Sequence, residues 1–446
     1  MRRQTLLFAL VAAPLAAQSP LSLRDAVRTA LEHNKALEAS AANVKAARTR
    51  ITQAGSNWLP KLNYSENALR SDNPVMVFST LLTQRRFGAE NFAIGPLNHP
   101  DAVNNFQSQL TVDQVIYDAG QIRNGVKSAE LMHDLSGEEN RRAEMDVLSG
   151  VVRAYLGAVL ASESLAAARE AVRSAEADLR RAETVRAAGM STDVDVLSIR
   201  VHLAAVREQE IKRQADLAVV RAALNDVLGL PLETEHRLTT PLSAADVPER
   251  ELAEYEKLAS ENRPETRESR IAMNLARVQS DLARSSLLPQ VGVRAGAEID
   301  RRRFFTGAAA NWTAAVSLKW NLFNGFGDKA RIEEAKFGLE RAKAEQGRAD
   351  SAVRLGVRRA WADLRAATER IEVAKASMAE SQESLRITQN RYAAGLATVT
   401  DLLRNETAAL DSRTRYLVAL HDQRVAATML QLSAGVLTPD SEILNR

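Results

Sequence analysis

The chain repeats itself. Arg186-Ala-Ala-Gly189-Met-Ser-Thr192-Asp-Val-Asp195-Val-Leu197 reappears as Tyr392-Ala-Ala-Gly395-Leu-Ala-Thr398-Val-Thr-Asp401-Leu-Leu403, at an offset of 206. The same offset relates Phe106 to Trp312, Tyr117 to Phe323, Tyr155 to Trp361 and Gly229 to Gly435. Asn57-Trp-Leu59-Pro60-Lys-Leu62 reappears as Ser286-Leu-Leu288-Pro289-Gln-Val291 at an offset of 229, which also pairs Glu32 with Glu261 and Ala47-Arg48 with Ala276-Arg277. Chance likeness among Ala-rich helices produces no constant offset, so whatever fold one half adopts the other adopts too. The offsets differ by 23, and the surplus falls between Leu62 and Phe106, where the first half carries a longer loop.

Each half reads helix, strand, loop, strand, very long helix, turn, shorter helix. Leu21 to about Gly55 has helical periodicity. Gly120 to Ala188 and Gly327 to Ala394 contain no proline, and at 1.5 Å per residue each spans on the order of 100 Å. The return helices, about Thr192 to Leu228 and Thr398 to Ser433, are half as long, so one long helix can lie beside two short ones stacked end to end. The expected division is a signal peptide over 1–17, a first repeat over 18–230, a linker over 231–249, a second repeat over 250–437 and a tail over 438–446.

The expected strands lie at about 61–69 and 105–117 in the first repeat, and about 290–299 and 311–323 in the second. On Trp312 to Phe323 the even positions are Trp, Ala, Val, Leu, Trp, Leu; on Val291 to Ile299 the odd ones are Val, Val, Ala, Ala, Ile. Period-two alternation over nine to twelve residues suits a tilted membrane strand. Phe106, Trp312 and Trp320 are the candidate membrane-interface aromatics; Trp312 and Trp320 are separated by roughly 26 Å of strand. Four strands leave two edges with unpaired backbone groups, so the chain must oligomerise to seal a barrel of eight, twelve or sixteen strands. Long loops at Arg70 to Asn104 and Asp300 to Ala310 fit the outer side of such a barrel.

Composition removes several function classes. Arg2 and Arg3, the apolar Leu6 to Ala13 and the small residues Leu15-Ala16-Ala17 before Gln18 read as a secretory signal. Its loss takes the formal charge from +3 to about +1, and the remaining charges alternate in sign along helices, which argues against a nucleic-acid partner. The chain has no cysteine, which excludes disulfides and thiolate metal sites. No later segment holds 18 consecutive apolar residues, so membrane residence requires strands.

The chain resembles the TolC-like outer-membrane efflux family from about Leu21 to Leu437. The likeness rests on Leu59-Pro60 and Leu288-Pro289, on Trp320-Asn-Leu-Phe323-Asn-Gly325, on the two Ala-Ala-Gly tips, and on Leu228-Gly-Leu-Pro231. The resemblance implies a mainly α protein with a transmembrane β-barrel: a homotrimer with one 12-stranded barrel, continued by a periplasmic α-barrel. It implies a place in the outer membrane with an extension into the periplasm, in contact with outer-membrane lipid. It also implies a periplasmic adaptor and an inner-membrane transporter as partners, with energy from the pump and no catalysis by the duct.

The tips are expected to face the periplasm. The resemblance carries adaptor contact to Arg186, Ala187, Ala188, Gly189, Met190, Ser191 and Thr192, and to Tyr392, Ala393, Ala394, Gly395, Leu396, Ala397 and Thr398. Asp195 and Asp401 each complete a Thr-x-x-Asp cap. In family members, aspartates at this place also line the pore constriction, where a carboxylate ring favours cations. Arg404 stands where a second aspartate would, which puts a double ring in doubt and leaves pairing with Asp401 open. Tyr392 occupies the place of a tyrosine that ties neighbouring helices closed. The gate candidates are therefore Asp195, Asp401, Arg404 and Tyr392.

Nothing points to chemistry. Gly325-Phe-Gly327-Asp-Lys-Ala330 partly matches a dinucleotide fingerprint, but its strand alternates and its duplicate lacks the spacing. His33, His99, His133, His202, His236 and His421 show no metal-ligand spacing and read as surface or packing residues. The carboxylates alternate with Arg and Lys and read as solvated faces. The expectation is a non-enzyme without cofactor or metal: an efflux duct for small molecules or ions, or alternatively the duct of a type I protein-secretion system. A soluble coiled-coil scaffold is the third reading, disfavoured by the signal segment and the strands.

Overall fold

The computed structural model describes residues 19–189, 192–246 and 250–444. The expected signal segment and residues 247–249 of the linker lie outside them. The first repeat contains β1 (Ser19–Leu21), α1 (Leu23–His33), α2 (Lys35–Gly55), β2 (Lys61–Ser71), α3 (Pro74–Thr83), α4 (Ile94–Asn98), β3 (Val103–Tyr117), α5 (Gln121–Ala187) and α6 (Asp193–Leu228). A short β4 (His236–Leu238) follows, and the second repeat contains α7 (Leu252–Asn262), α8 (Pro264–Ser285), β5 (Gln290–Arg303), β6 (Thr306–Lys319), α9 (Gly327–Ala393) and α10 (Val399–Ser433). The chain forms two compact units. Among the described residues, one takes 19–41, 138–267 and 348–444; the other takes 42–137 and 268–347.

The second unit carries the four strands, in the order β2-β3-β5-β6, all neighbours antiparallel. Register puts Tyr64, Leu110, Ala297 and Trp312 in one row across the sheet, and Leu62, Val112, Ala295 and Ala314 in the next. Because side chains alternate between faces, these rows build one apolar face, and Leu62, Tyr64, Leu110, Trp312, Val316 and Leu318 stand exposed on it. The opposite face carries Ser65, Gln109, Glu298 and Asn311 in one row and Asn63, Thr111 and Thr313 in another. β2 and β6 are the open edges of this sheet.

The strands extend further at one end than the alternation indicates. β5 continues to Arg303 and β6 starts at Thr306, where Asp300-Arg-Arg-Arg has no apolar face but keeps its backbone pairing. On the apolar side this end begins with the row Glu66, Ser108, Ile299 and Ala310. There Arg301 pairs with Glu66 at 2.7 Å. At the other end β6 stops at Lys319, and Trp320 donates its indole N–H to the Leu287 carbonyl at 3.0 Å. The span Arg70 to Asn104 is not all loop. Asn73 caps α3 with Pro74 in its first turn, and Gln84 anchors the segment through the Asn104 carbonyl and the Asn105 side chain at 2.8 and 2.9 Å.

α5 and α9 are each 67 residues long and leave the sheet by the same turn. Asp118 accepts from the Gly120 and Ile122 amides, and Asn324, 206 positions on, accepts from the Asp328 amide. After each comes a pair of left-handed residues: Ala119 and Gly120 (φ 56° and 84°), then Gly325 and Phe326 (67° and 69°). The dinucleotide-like glycines thus serve a strand-to-helix corner, with its first-turn amides already engaged by Asn324.

The first unit is helical, and its core explains the apolar stripes. On α1, Leu23, Ala26, Val27 and Ala30 follow helical spacing and are buried. They meet Val151, Val152, Tyr155 and Leu156 of α5, Leu224 and Leu228 of α6, Val357 of α9 and Leu430 of α10. One 18-residue stretch of α5 is apolar enough to cross a membrane by length and composition, but half of it is buried inside the protein; that burial accounts for its apolar character. The leading helix of each repeat is broken in two. Asn34 ends α1, accepts from the Ala36 amide and donates to the Val227 carbonyl at 2.9 and 2.8 Å. The matching break at Arg263 precedes Pro264, whose ring disfavours helix in the residue before it. The linker is pinned to this unit. The Tyr155 hydroxyl donates to the Leu21 carbonyl at 2.8 Å and accepts from the Thr239 and Thr240 amides. Gln423 makes two bonds to the Ala245 backbone, and Arg424, only 2% exposed, donates to the Pro241 carbonyl.

Candidate functional site: the paired hairpin tips

Each long helix ends at a left-handed glycine. Gly189 (φ 76°) follows α5 and Gly395 (φ 73°) follows α9. Glycine adopts this conformation without the Cβ clash that other residues incur. The Leu396 amide closes the second turn onto the Arg391 carbonyl at 2.8 Å. At the first tip Arg186 pairs with Asp193 at 3.0 Å. Arg186, Ala187, Ala188, Gly189 and Thr192 are exposed; Met190 and Ser191 lie outside the described residues. At the second tip Ala393, Ala394, Gly395, Leu396 and Thr398 are exposed and Ala397 is partly so.

Both return helices start with a capping box. Thr192 accepts from the Asp195 amide while Asp195 accepts from Thr192, and Thr398 and Asp401 repeat the arrangement. Hydrogen bonds from the Thr398 side chain and then its backbone hold the Asp401 carboxyl below the usual range, helped by the charges of Arg391 and Arg404. Arg404 is exposed, and among the described residues no ion pair joins it to Asp401 within the chain. Asp401 is exposed as well as capping.

The tips pack together. Val399 of α10 meets Val196 and Ile199 of α6 and Ala182 of α5, with Tyr392 against them. Burial raises the Tyr392 hydroxyl, as do the charges of Asp195 and Asp178, while Arg181 opposes them. The structure thus sets Tyr392 within the field of Asp195 and Asp178, and leaves Asp401 and Arg404 on the surface.

Farther along the same helices lies a group that the reading of the carboxylates as solvated faces missed. Asp178 of α5 is 3% exposed and Glu406 of α10 is 8% exposed. His202 of α6, read as surface or packing, sits with its Nε2 3.1 Å from Glu406. The signal was present in the spacing. Asp178 falls on the stripe of Ala175 and Ala182, and Glu406 on that of Leu402 and Ala409, all buried. No cluster of three or more His, Asp or Glu among the described residues has the geometry to hold a metal ion.

Of the interface aromatics, Trp312 is 81% exposed, one row in from the Glu66–Arg301 pair. Phe106 stacks edge-on against Phe304 at 5.8 Å. Trp320 lies just past the strand end.

A duplicated chain with an exposed apolar sheet face and long helical hairpins defines an outer-membrane channel protein of the efflux and secretion class. The family profile for the outer membrane efflux protein matches residues 26–230 and again 257–436, and the chain belongs to that family. It resides in the outer membrane. Protein CyaE of Bordetella pertussis is 29% identical over 425 residues, covering 94% of this chain and 84% of that one. The alkaline protease secretion protein AprF of Pseudomonas aeruginosa is 25% identical, covering 94% and 85%. The Campylobacter jejuni CmeC outer membrane channel has the same fold at a TM-score of 0.80 and 16% identity, covering 99% of this chain and 95% of that one.

Proposed function

We propose that three copies of this chain form a twelve-stranded outer-membrane barrel and act as the passive exit duct of a tripartite efflux system. The observation that carries this reading is the open sheet, apolar on one face and polar on the other, with free edges at β2 and β6. Free edges in lipid cost several kcal/mol for each unpaired backbone group, which closure among copies removes. The tips, residues 186–192 and 392–398, are the docking surface for a periplasmic adaptor linked to an inner-membrane transporter. Trp312, Trp320 and Phe106 anchor the sheet at the lipid interfaces. Asp401, exposed at the tip, lines the constriction, and Tyr392 with Asp195 holds the hairpins together behind it. The duct catalyses nothing; the transporter supplies the energy.

The test is reconstitution in planar bilayers with electrophoresis of unheated and boiled protein. A heat-modifiable trimer that conducts supports the duct; a monomer that never perforates a liposome sinks it. Asp401→Asn is expected to weaken block by divalent cations, and unchanged block removes Asp401 from the pore lining. Export of a protein substrate is the second reading, favoured by the 25% identity to AprF, a protease secretion protein. Purification through the two tips separates the readings by which class of transporter follows.

A further inference from the structure

Three helices of the two hairpins converge on one buried group. Asp178 comes from α5, His202 from α6 and Glu406 from α10. Glu406 is the hub. Its Oε1 accepts from the Ser174 hydroxyl at 3.1 Å, its Oε2 faces His202 Nε2 at 3.1 Å, and its carboxyl is within hydrogen-bonding range of Asp178. Arg181 reaches Asp178 Oδ1 only at 3.5 Å, and Tyr392 of α9 feels the Asp178 charge from the fourth side. The nearby Glu170 and Arg413 neutralise one another.

With both carboxyls ionised, Asp178 Oδ2 is buried without a donor, and Glu406 Oε2 faces only His202 Nε2. Two buried like charges in contact are also mutually repulsive. A single proton between them removes both defects, since one carboxyl then donates to the other. We propose that Asp178 and Glu406 share one proton, and that this proton fastens the first hairpin to the second. A cavity of about 640 Å³ lined by Ser174, His202 and Glu406 gives solvent protons a route to the group.

The titration has a definite sign. Burial, then the hydrogen bond and charge of Glu406, push the Asp178 carboxyl from 3.8 up to about 7, while Arg181 and His202 pull the other way. Burial pushes Glu406 up too, but hydrogen bonds from His202 and Asp178 outweigh it and leave that carboxyl below its usual range. The folded pair therefore keeps a proton that the unfolded chain has released. The contribution is full below the unfolded value and is lost as pH rises through the folded one. The hairpins are held most firmly in acid and loosen toward alkaline pH. Resting on the duct reading above, this makes the gate easier to open as the periplasm becomes alkaline.

The test uses the full-length protein in detergent, melted by far-ultraviolet circular dichroism from about pH 5 to about pH 9. Asp178→Asn imitates the protonated acid, so it is expected to melt only slightly above the wild type near pH 5, where the unfolded carboxyl has already ionised but the folded one has not, and about 3 °C or more above it near pH 9. A wild-type-to-variant difference that stays constant across pH, or a variant that melts lower at high pH, overturns the proposal. Glu406→Gln is the second variant, because it removes the like charge and should flatten the slope of melting temperature between pH 5 and 9. A slope in Glu406→Gln equal to that of the wild type also overturns it, whether or not Asp178→Asn folds. Melting reads packing alone, so failure here is distinguishable from failure of the duct reading, which conductance decides.

Discussion

Gly229, at the end of α6, sits directly against the main chain of His33: a β-carbon there would fall inside the contact distance of the His33 carbonyl oxygen. Gly435, at the end of α10, stands in the same relation to Asn262 and Arg263, where a β-carbon would lie 2.9–3.0 Å from its neighbours. In each repeat, then, the end of the return helix abuts the break in the leading helix.

Gly229→Ala is expected to combine the left-handed penalty, about 1–2 kcal/mol, with this clash. Gly395→Ala incurs only the first, since nothing lies within 4 Å of its β-position. Urea titration should rank Gly229→Ala as clearly the more damaging. Equal losses would mean that the junction yields and the close approach is not a constraint.

Tyr155→Phe keeps the ring in the core and removes one hydroxyl. It leaves the Leu21 carbonyl and the Thr239 and Thr240 amides without that partner. The expected cost is about 1–3 kcal/mol, with earlier protease cleavage in the linker near Thr240. A variant as stable and as resistant as the wild type would show that the linker is held by its α10 contacts alone.

Thr398→Ala removes the cap that Asp401 reciprocates, at a cost of about 1 kcal/mol. Because the Asp401 carboxyl is lowered in the fold, its support is present above its unfolded value and fades as pH falls through the folded one. The gap between wild type and variant should therefore narrow in acid when melting curves are compared across pH. A gap that widens in acid would contradict the capping role.

Leu110→Arg places a charge in the row shared with Tyr64, Ala297 and Trp312. On a lipid-facing surface this costs about 2–4 kcal/mol near the bilayer midplane, and the amount recovered from outer membranes should fall. Gln109→Arg, one residue away on the polar face, should be assembled normally. The opposite ranking would invert the assignment of the two faces.

Much of this was readable from residues alone. Constant offsets exposed the duplication, and it extends to backbone conformation, as Asp118 and Asn324 open the same left-handed corner. Strand ends were less legible. Alternation marks only the stretch that has an apolar face, whereas Asp300 to Arg303 pairs through its backbone and carries no such pattern. The break at Asn34 was hidden because its cause is a contact with Val227, distant in sequence. Charge alone does not reveal Asp178 and Glu406; position does. Each follows its neighbours' buried stripe, and a carboxylate on such a stripe signals a partner across the interface.

The order β2-β3-β5-β6 settles something about how copies can join. With an even count of antiparallel strands, the two outer members run in opposite directions. Attaching the β6 of one molecule to the β2 of the next therefore continues the antiparallel alternation without a parallel seam. Such a joint would bring two different surfaces together, relating neighbours by rotation about a shared axis and not by a twofold; where that rotation closes, the result is a cycle that can grow or shrink only by whole molecules.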